Sequence, residues 1–171
     1  LDLMDDGMNQ TAVDNLLAER IAEHEMAVAF ARELIAALGE KPALRILGRA
    51  AAQFEAAGAR ELARRLGDNS LRALGEHFRR RQERQDTVTV VEATDQRLEI
   101  RVTRCPSTEA LRFLGMPQLC QLFCASTHAL TTAFNAGLRA SHTQSIGTGG
   151  AYCDWVWTWR EGGAPEDAAA A

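Results

Sequence analysis

A chain of 171 residues is long enough to bury a sizeable core within one domain. Its 46% hydrophobic and 25% charged residues are ordinary for a globular protein, and a net charge of −4 argues against a nucleic-acid partner. No apolar run approaches the ~18 residues of a membrane span, and the opening LDLMDDGMNQ lacks the basic start and apolar stretch of a signal peptide. A cytoplasmic protein without a membrane partner is therefore expected, and its four cysteines read as reduced thiols rather than a disulfide framework.

After a disordered stretch expected over 1–10, apolar positions Val13, Leu17, Ile21, Val28, Ala31, Ile35 and Leu38 recur at helical spacing and predict a helix over 11–38, with Gly39 as its C-cap. A second helix should start near Pro42 and carry Leu44, Leu47, Ala51, Phe54 and Leu62 toward Leu66, with a break at Gly58. Asp68 or Asn69 should cap a third helix bearing Leu71, Leu74 and Phe78. The basic run over 79–84, with Glu76, Glu83 and Asp86 around it, reads as a solvated helix end. His24 and His77 interrupt apolar stripes and read as hydrogen-bonded core or boundary residues rather than ligands. The first helix could present apolar surface for a homodimer.

From residue 87 the pattern changes. β-Branched residues over 87–92 and alternation over 98–103 predict a hairpin turning at 93–96. Pro106 opens a short helix, and Gly115, Met116 and Pro117 separate it from a helix over 118–135. A strand over 138–146, a tight turn at 147–150 and a strand over 152–159 should follow, with a flexible tail over 161–171. The fold class is thus α+β: a single domain over 11–160, its helical N-terminal half (11–86) followed by ββααββ with an antiparallel four-stranded sheet (87–160).

Cys120, Cys124 and His128 lie at i, i+4 and i+8, so the predicted helix carries them on one face together with Thr127 and Thr131. Cys105 follows a strand, and Cys153 lies in the last strand with Asp154 on its opposite face. A thiolate with His128 or a carboxylate as base could act as a nucleophile. Cys and neutral His could instead hold zinc or another divalent metal, although a row of i, i+4 and i+8 spans ~12 Å and cannot ligate one ion as a set. Spacing alone favours a third use, since free cysteines are among the most buried residues and pack as small hydrophobes. Trp155, Trp157 and Trp159 share one face of the last strand and read as core wall.

The segments VTRCPSTEALRFLGMPQLCQLFCASTHAL and FNAGLRASHTQSIGTGGAYCDWVW resemble the L-2-amino-thiazoline-4-carboxylic acid hydrolase family over about 102–157. The shared elements are a strand ending in Arg-Cys-Pro, a Leu-Gly-x-Pro-x-Leu break, a Leu-x-x-x-Cys helix, Asn-x-Gly-Leu, and a final Gly-Gly-x-x-Cys-Asp-aromatic strand. The resemblance implies a cytoplasmic hydrolase that opens a small cyclic amidine with water, acting on a non-peptide C–N bond, with recurrent positions Cys105, Cys124, Cys153 and Asp154. The family commonly carries an acidic residue one turn after the helix cysteine, where this chain has His128. On this reading His128 manages protons, Thr127 contacts the substrate, and Arg104 or Arg139 holds a substrate carboxylate. No cofactor is expected, a zinc or other divalent ion being the variant. The final strand also resembles the end of the four-vinyl-reductase type of small-molecule-binding domain, which implies a non-enzymatic binding or sensing module.

Overall fold

The computed structural model describes residues 5–82 and 87–161, with side chains from Asn15 onward. Helix α1 (Asp5–Leu38) starts six residues before the expected position and meets α2 (Glu40–Leu66) at Gly39, where a φ of +81° suits glycine. α2 runs through Gly58 without the expected break. An exposed glycine costs about 1 kcal/mol in a helix interior, and the packing of α2 along the helix over 119–134 outweighs it. The expected apolar stripe of α2 is partly misplaced, because Phe54 is 77% exposed whereas Ala43 and Ala59 are buried. Met26 and Phe30 are likewise exposed on α1.

Helix α3 (Leu71–Gln82) is capped by Ser70, whose Oγ accepts the Ala73 N–H at 3.1 Å. Asp68, expected as the cap, instead accepts the Ser70 N–H at 2.7 Å and braces the capping residue. Of the basic run, Arg79 pairs with Glu76 in solvent, while positions 83–86 lie outside the described residues, as do 1–4 and the tail from 162.

Strands β1 (Val88–Ala93) and β2 (Arg97–Val102) form the predicted hairpin, with Thr94 Oγ1 accepting the Arg97 N–H at 3.0 Å in the turn. The register shifts between Val90 and Glu92, so Val91 bulges out and stays exposed. α4 (Pro106–Phe113) and α5 (Leu119–Phe134) lead to β3 (Leu138–Ser141) and β4 (Cys153–Trp159). The sheet is antiparallel throughout, in the order β1-β2-β4-β3.

β3 is shorter than the expected 138–146. The Thr143 and Gln144 N–H groups, which would extend the ladder, both donate to Asp154 Oδ1 at 2.9 Å and turn the chain away. The segment over 147–150 is accordingly no hairpin turn. Its start belongs to a 3₁₀ turn (Ile146–Thr148), closed by Gly149 at φ +93°.

Two cores result. Leu71, Leu74, Leu98, Phe134, Leu138 and Trp157 form one between the sheet, α3 and α5. Trp157 is nearly fully buried and donates its indole N–H to Thr131 Oγ1 at 2.9 Å, so its large apolar body is buried without stranding a donor. Val28, Ala31, Leu111, Met116 and Leu119 form the other between α1, α4 and α5. His24 packs at a tilt against Phe123, and its buried Nε2 lacks the hydrogen bond expected of it. Burial holds its imidazole below the ordinary pKa, with Glu23 opposing. His77 packs edge-on against Phe78. Among the described residues, no helix is long and apolar enough to cross a membrane.

Candidate active site

A cavity of about 270 Å³ opens where the two cores meet, with Ile100, Trp155 and Trp157 from one and Leu111 and Cys120 from the other in its wall. It is slightly smaller than most ligand pockets, which run from ~300 to 1,000 Å³. All four cysteines line it as free thiols, so α4, α5 and β4 converge as separate carriers of sulfur.

Each thiol arrives for a local reason. Cys105 is the N-cap of α4, in extended conformation with Pro106 behind it, and its carbonyl accepts the Glu109 N–H at 3.1 Å. Cys120 and Cys124 stand one turn apart on α5, the Cys120 Sγ lying 4.0 Å from the Thr108 carbonyl oxygen. Cys153 opens β4 on the inner face shared with Trp155 and Trp157.

Ser145 ties two of them together. Its Oγ lies 3.7 Å from both the Cys124 and Cys153 sulfurs and accepts the Gly147 N–H at 3.1 Å. Its carbonyl accepts the N–H groups of Thr148 and Gly150 at 3.1 and 2.8 Å. The Ile146 N–H donates to Cys153 Sγ at 3.3 Å. The loop passes close over α5 at Gly147, where a Cβ would lie in ordinary contact with Cys120 Cβ at 3.4 Å and Cys124 Sγ at 3.5 Å.

Burial pushes the Cys120 and Cys124 thiols above their ordinary pKa, and the Ser145 hydrogen bond only partly offsets this at Cys124. Both are therefore protonated at neutral pH. Glu55, which reaches the cavity from α2, is also raised by burial, with Arg81 opposing. Arg20, Arg81 and Arg104 bring positive charge to the same wall. Arg81 is within electrostatic reach of both Glu55 and Cys105. Arg104 donates its fork to Glu109 at 2.7 and 2.6 Å, a bidentate pair.

Of the residues singled out in the sequence, Cys105, Cys124, Cys153, Arg104 and Thr127 line the cavity; His128, Asp154 and Arg139 do not. His128 is exposed and sits edge-on to Trp155 at 5.9 Å. Eight residues of helix carry it ~12 Å beyond Cys120, so one face does not make one site. Asp154 alternates with Cys153 to the other face of β4, where it binds the loop N–H groups. Arg139 donates to Thr158 Oγ1 at 3.0 Å on that same outer side.

Sequence reasoning missed Glu55, Arg20, Arg81 and Ser145. The first two sit on helices without a motif, and Arg81 was absorbed into a solvated basic run. Ser145 lay in a predicted strand, although its position before Ile-Gly-Thr-Gly-Gly was a turn signal. Among the described residues, no three His, Cys, Asp or Glu side chains gather closely enough to hold a metal ion.

Comparison with curated proteins finds no match. A family model for L-2-amino-thiazoline-4-carboxylic acid hydrolase matches residues 19–157, which takes in most of α1, all of α2 and α3, and every element that lines the cavity. The chain belongs to the L-2-amino-thiazoline-4-carboxylic acid hydrolase family.

Proposed function

We propose that the protein hydrolyses a small cyclic amidine, a 2-aminothiazoline-carboxylate-like ring, with a cavity thiol as nucleophile. The observation that carries this reading is the convergence of free thiols on one small cavity within a hydrolase family member. Cys105 is the best placed. Cys105 is the N-cap residue of α4 on the cavity wall, and Arg81 lies within electrostatic reach. Burial raises the Cys120 and Cys124 thiols and keeps them protonated.

The sulfur adds to the C=N carbon, forming a C–S bond while the π pair moves to nitrogen. Collapse of the adduct expels one ring heteroatom with a proton and opens the ring. Water then adds to the carbon held on sulfur, and the thiol departs with a proton, regenerating the enzyme. Arg20, Arg81 and Arg104 on the cavity wall supply positive charge for the substrate carboxylate.

The test is turnover of 2-amino-2-thiazoline-4-carboxylate, followed by mass spectrometry for the gain of one water. Cys105→Ser is expected to lose at least ~10³ in kcat/KM, and Cys153→Ser far less. Full activity in Cys105→Ser, or an inactive wild type, sinks the reading. The protonated state of Cys120 and Cys124 favours a second reading, a binding module that holds its ligand without attack. Stoichiometric amidine binding by calorimetry with no ring opening would mark that outcome.

A further inference from the structure

We infer that Glu55 is the carboxylate that binds the amidine N–H groups in this cavity and carries the protons of the reaction. The inference rests on reading the cavity as the amidine site, and it adds a group from the helical half that no motif announces. Ring opening and release each move a proton, so the wall must hold a group that both accepts and donates near neutral pH. Among the described residues, the titratable groups of the wall are four thiols, three guanidiniums and one carboxylate, that of Glu55. A guanidinium does not give up its proton. Cys120 and Cys124 are poor bases at neutral pH because burial keeps them protonated.

Glu55 fits both halves of the task. An ionised carboxylate accepts two parallel, charge-assisted N–H bonds, the geometry an amidinium offers. Half-buried on α2, its carboxyl titrates above the ordinary range, nearer the working pH of a proton carrier. The charged and titratable groups around the same space are Arg20 from α1, Arg81 from α3, Arg104 and Cys105 after β2, Cys120 and Cys124 from α5 and Cys153 from β4. Arg81 favours the ionised form of Glu55 and so keeps it competent to meet a cation.

The protons balance with this one carrier. As the Cys105 sulfur bonds to the amidinium carbon, its proton passes to the Glu55 carboxylate and the C=N pair neutralises the nitrogen. The carboxylic acid then protonates the departing ring heteroatom as its bond to carbon breaks. Water addition returns a proton to Glu55, which hands it to the departing Cys105 sulfur. The substrate's own amidinium proton leaves to solvent with the neutral product.

The experiment measures binding of 2-amino-2-thiazoline, the ring without its carboxylate, by calorimetry to wild type, Glu55→Gln and Glu55→Asp, alongside turnover of the 4-carboxylate. Glu55→Gln should weaken the probe at least tenfold and abolish the loss of binding that wild type shows as pH falls. Its kcat should drop by ~10²–10³, with Glu55→Asp recovering part. Wild-type behaviour of Glu55→Gln in both assays, or no binding of the probe by wild type, overturns the proposal. Glu55-dependent binding with no ring opening in wild type retains the Glu55 site and removes the hydrolase reading instead.

Discussion

At Gly150 a missing methyl group is what allows Ser145 to sit where it does. A Cβ there would come within 2.9 Å of the Ser145 carbonyl oxygen and 3.1 Å of its nitrogen, both backbone atoms that cannot swing aside. Gly150→Ala must therefore displace the loop, and overpacking of this kind costs about 1–3 kcal/mol, measurable by denaturant unfolding. A neutral effect would mean that the loop yields freely. Ser145 itself offers a subtler test. Its hydroxyl is the group that lowers the Cys124 thiol against the larger upward push of burial. Removing it in Ser145→Ala leaves burial unopposed by that bond, so the Cys124 titration should move further up. Iodoacetamide labelling of Cys124, followed by mass spectrometry across pH, should shift to higher pH in the variant. An unchanged profile would show that the 3.7 Å contact does not bind the sulfur.

The element most changed from its sequence reading is the segment between β3 and β4, and Asp154 is the cause. Its carboxylate takes the Thr143 and Gln144 N–H groups and the Thr143 hydroxyl, ending β3 and aiming the chain toward Ser145. Burial alone would raise its pKa, but these hydrogen bonds outweigh it and leave the group below its ordinary value. A depressed carboxylate stabilises the fold above its unfolded pKa. That contribution fades as pH falls from the ordinary Asp value of 3.8 through the lower folded one. Asp154→Asn should therefore speed hydrogen exchange of the Thr143 and Gln144 amides at neutral pH. The difference from wild type should close in acid, because protonation has already removed the charge there. Equal exchange at pH 7 would separate Asp154 from loop order. The same variant should affect turnover only as far as it moves Ser145, since Asp154 faces away from the cavity.

On the scale of the whole molecule, the sheet half was legible and the union of the two halves was not. Alternation in β2 and β4, the β-branched run of β1 and the Pro106 and Gly115 punctuation each specify local structure, and the antiparallel sheet follows from their order. The cysteine positions stood out because their residue type is rare in the chain. The inward face of α2 did not, because a helix rich in alanine offers little contrast between faces, and Phe54 drew the stripe one residue away from Glu55. Which carboxylate shares the cavity with the thiols depends on long-range packing of helix against sheet, for which no local pattern exists. That packing predicts a stability signature. Glu55 is raised in the folded state, so between its ordinary value of 4.5 and its higher folded one the native protein binds more protons than the unfolded chain. Stability then falls as pH rises through that window, and above it the ionised, half-buried carboxylate is a standing cost. Glu55→Gln keeps the shape and removes the charge. It should melt at a higher temperature than wild type at pH 8, and the two should converge near pH 4, where Glu55 is protonated in both states. A lower melting temperature for Glu55→Gln at pH 8 would mean that pairing with Arg81 outweighs burial, and that Glu55 is held as a structural ion rather than kept for a ligand.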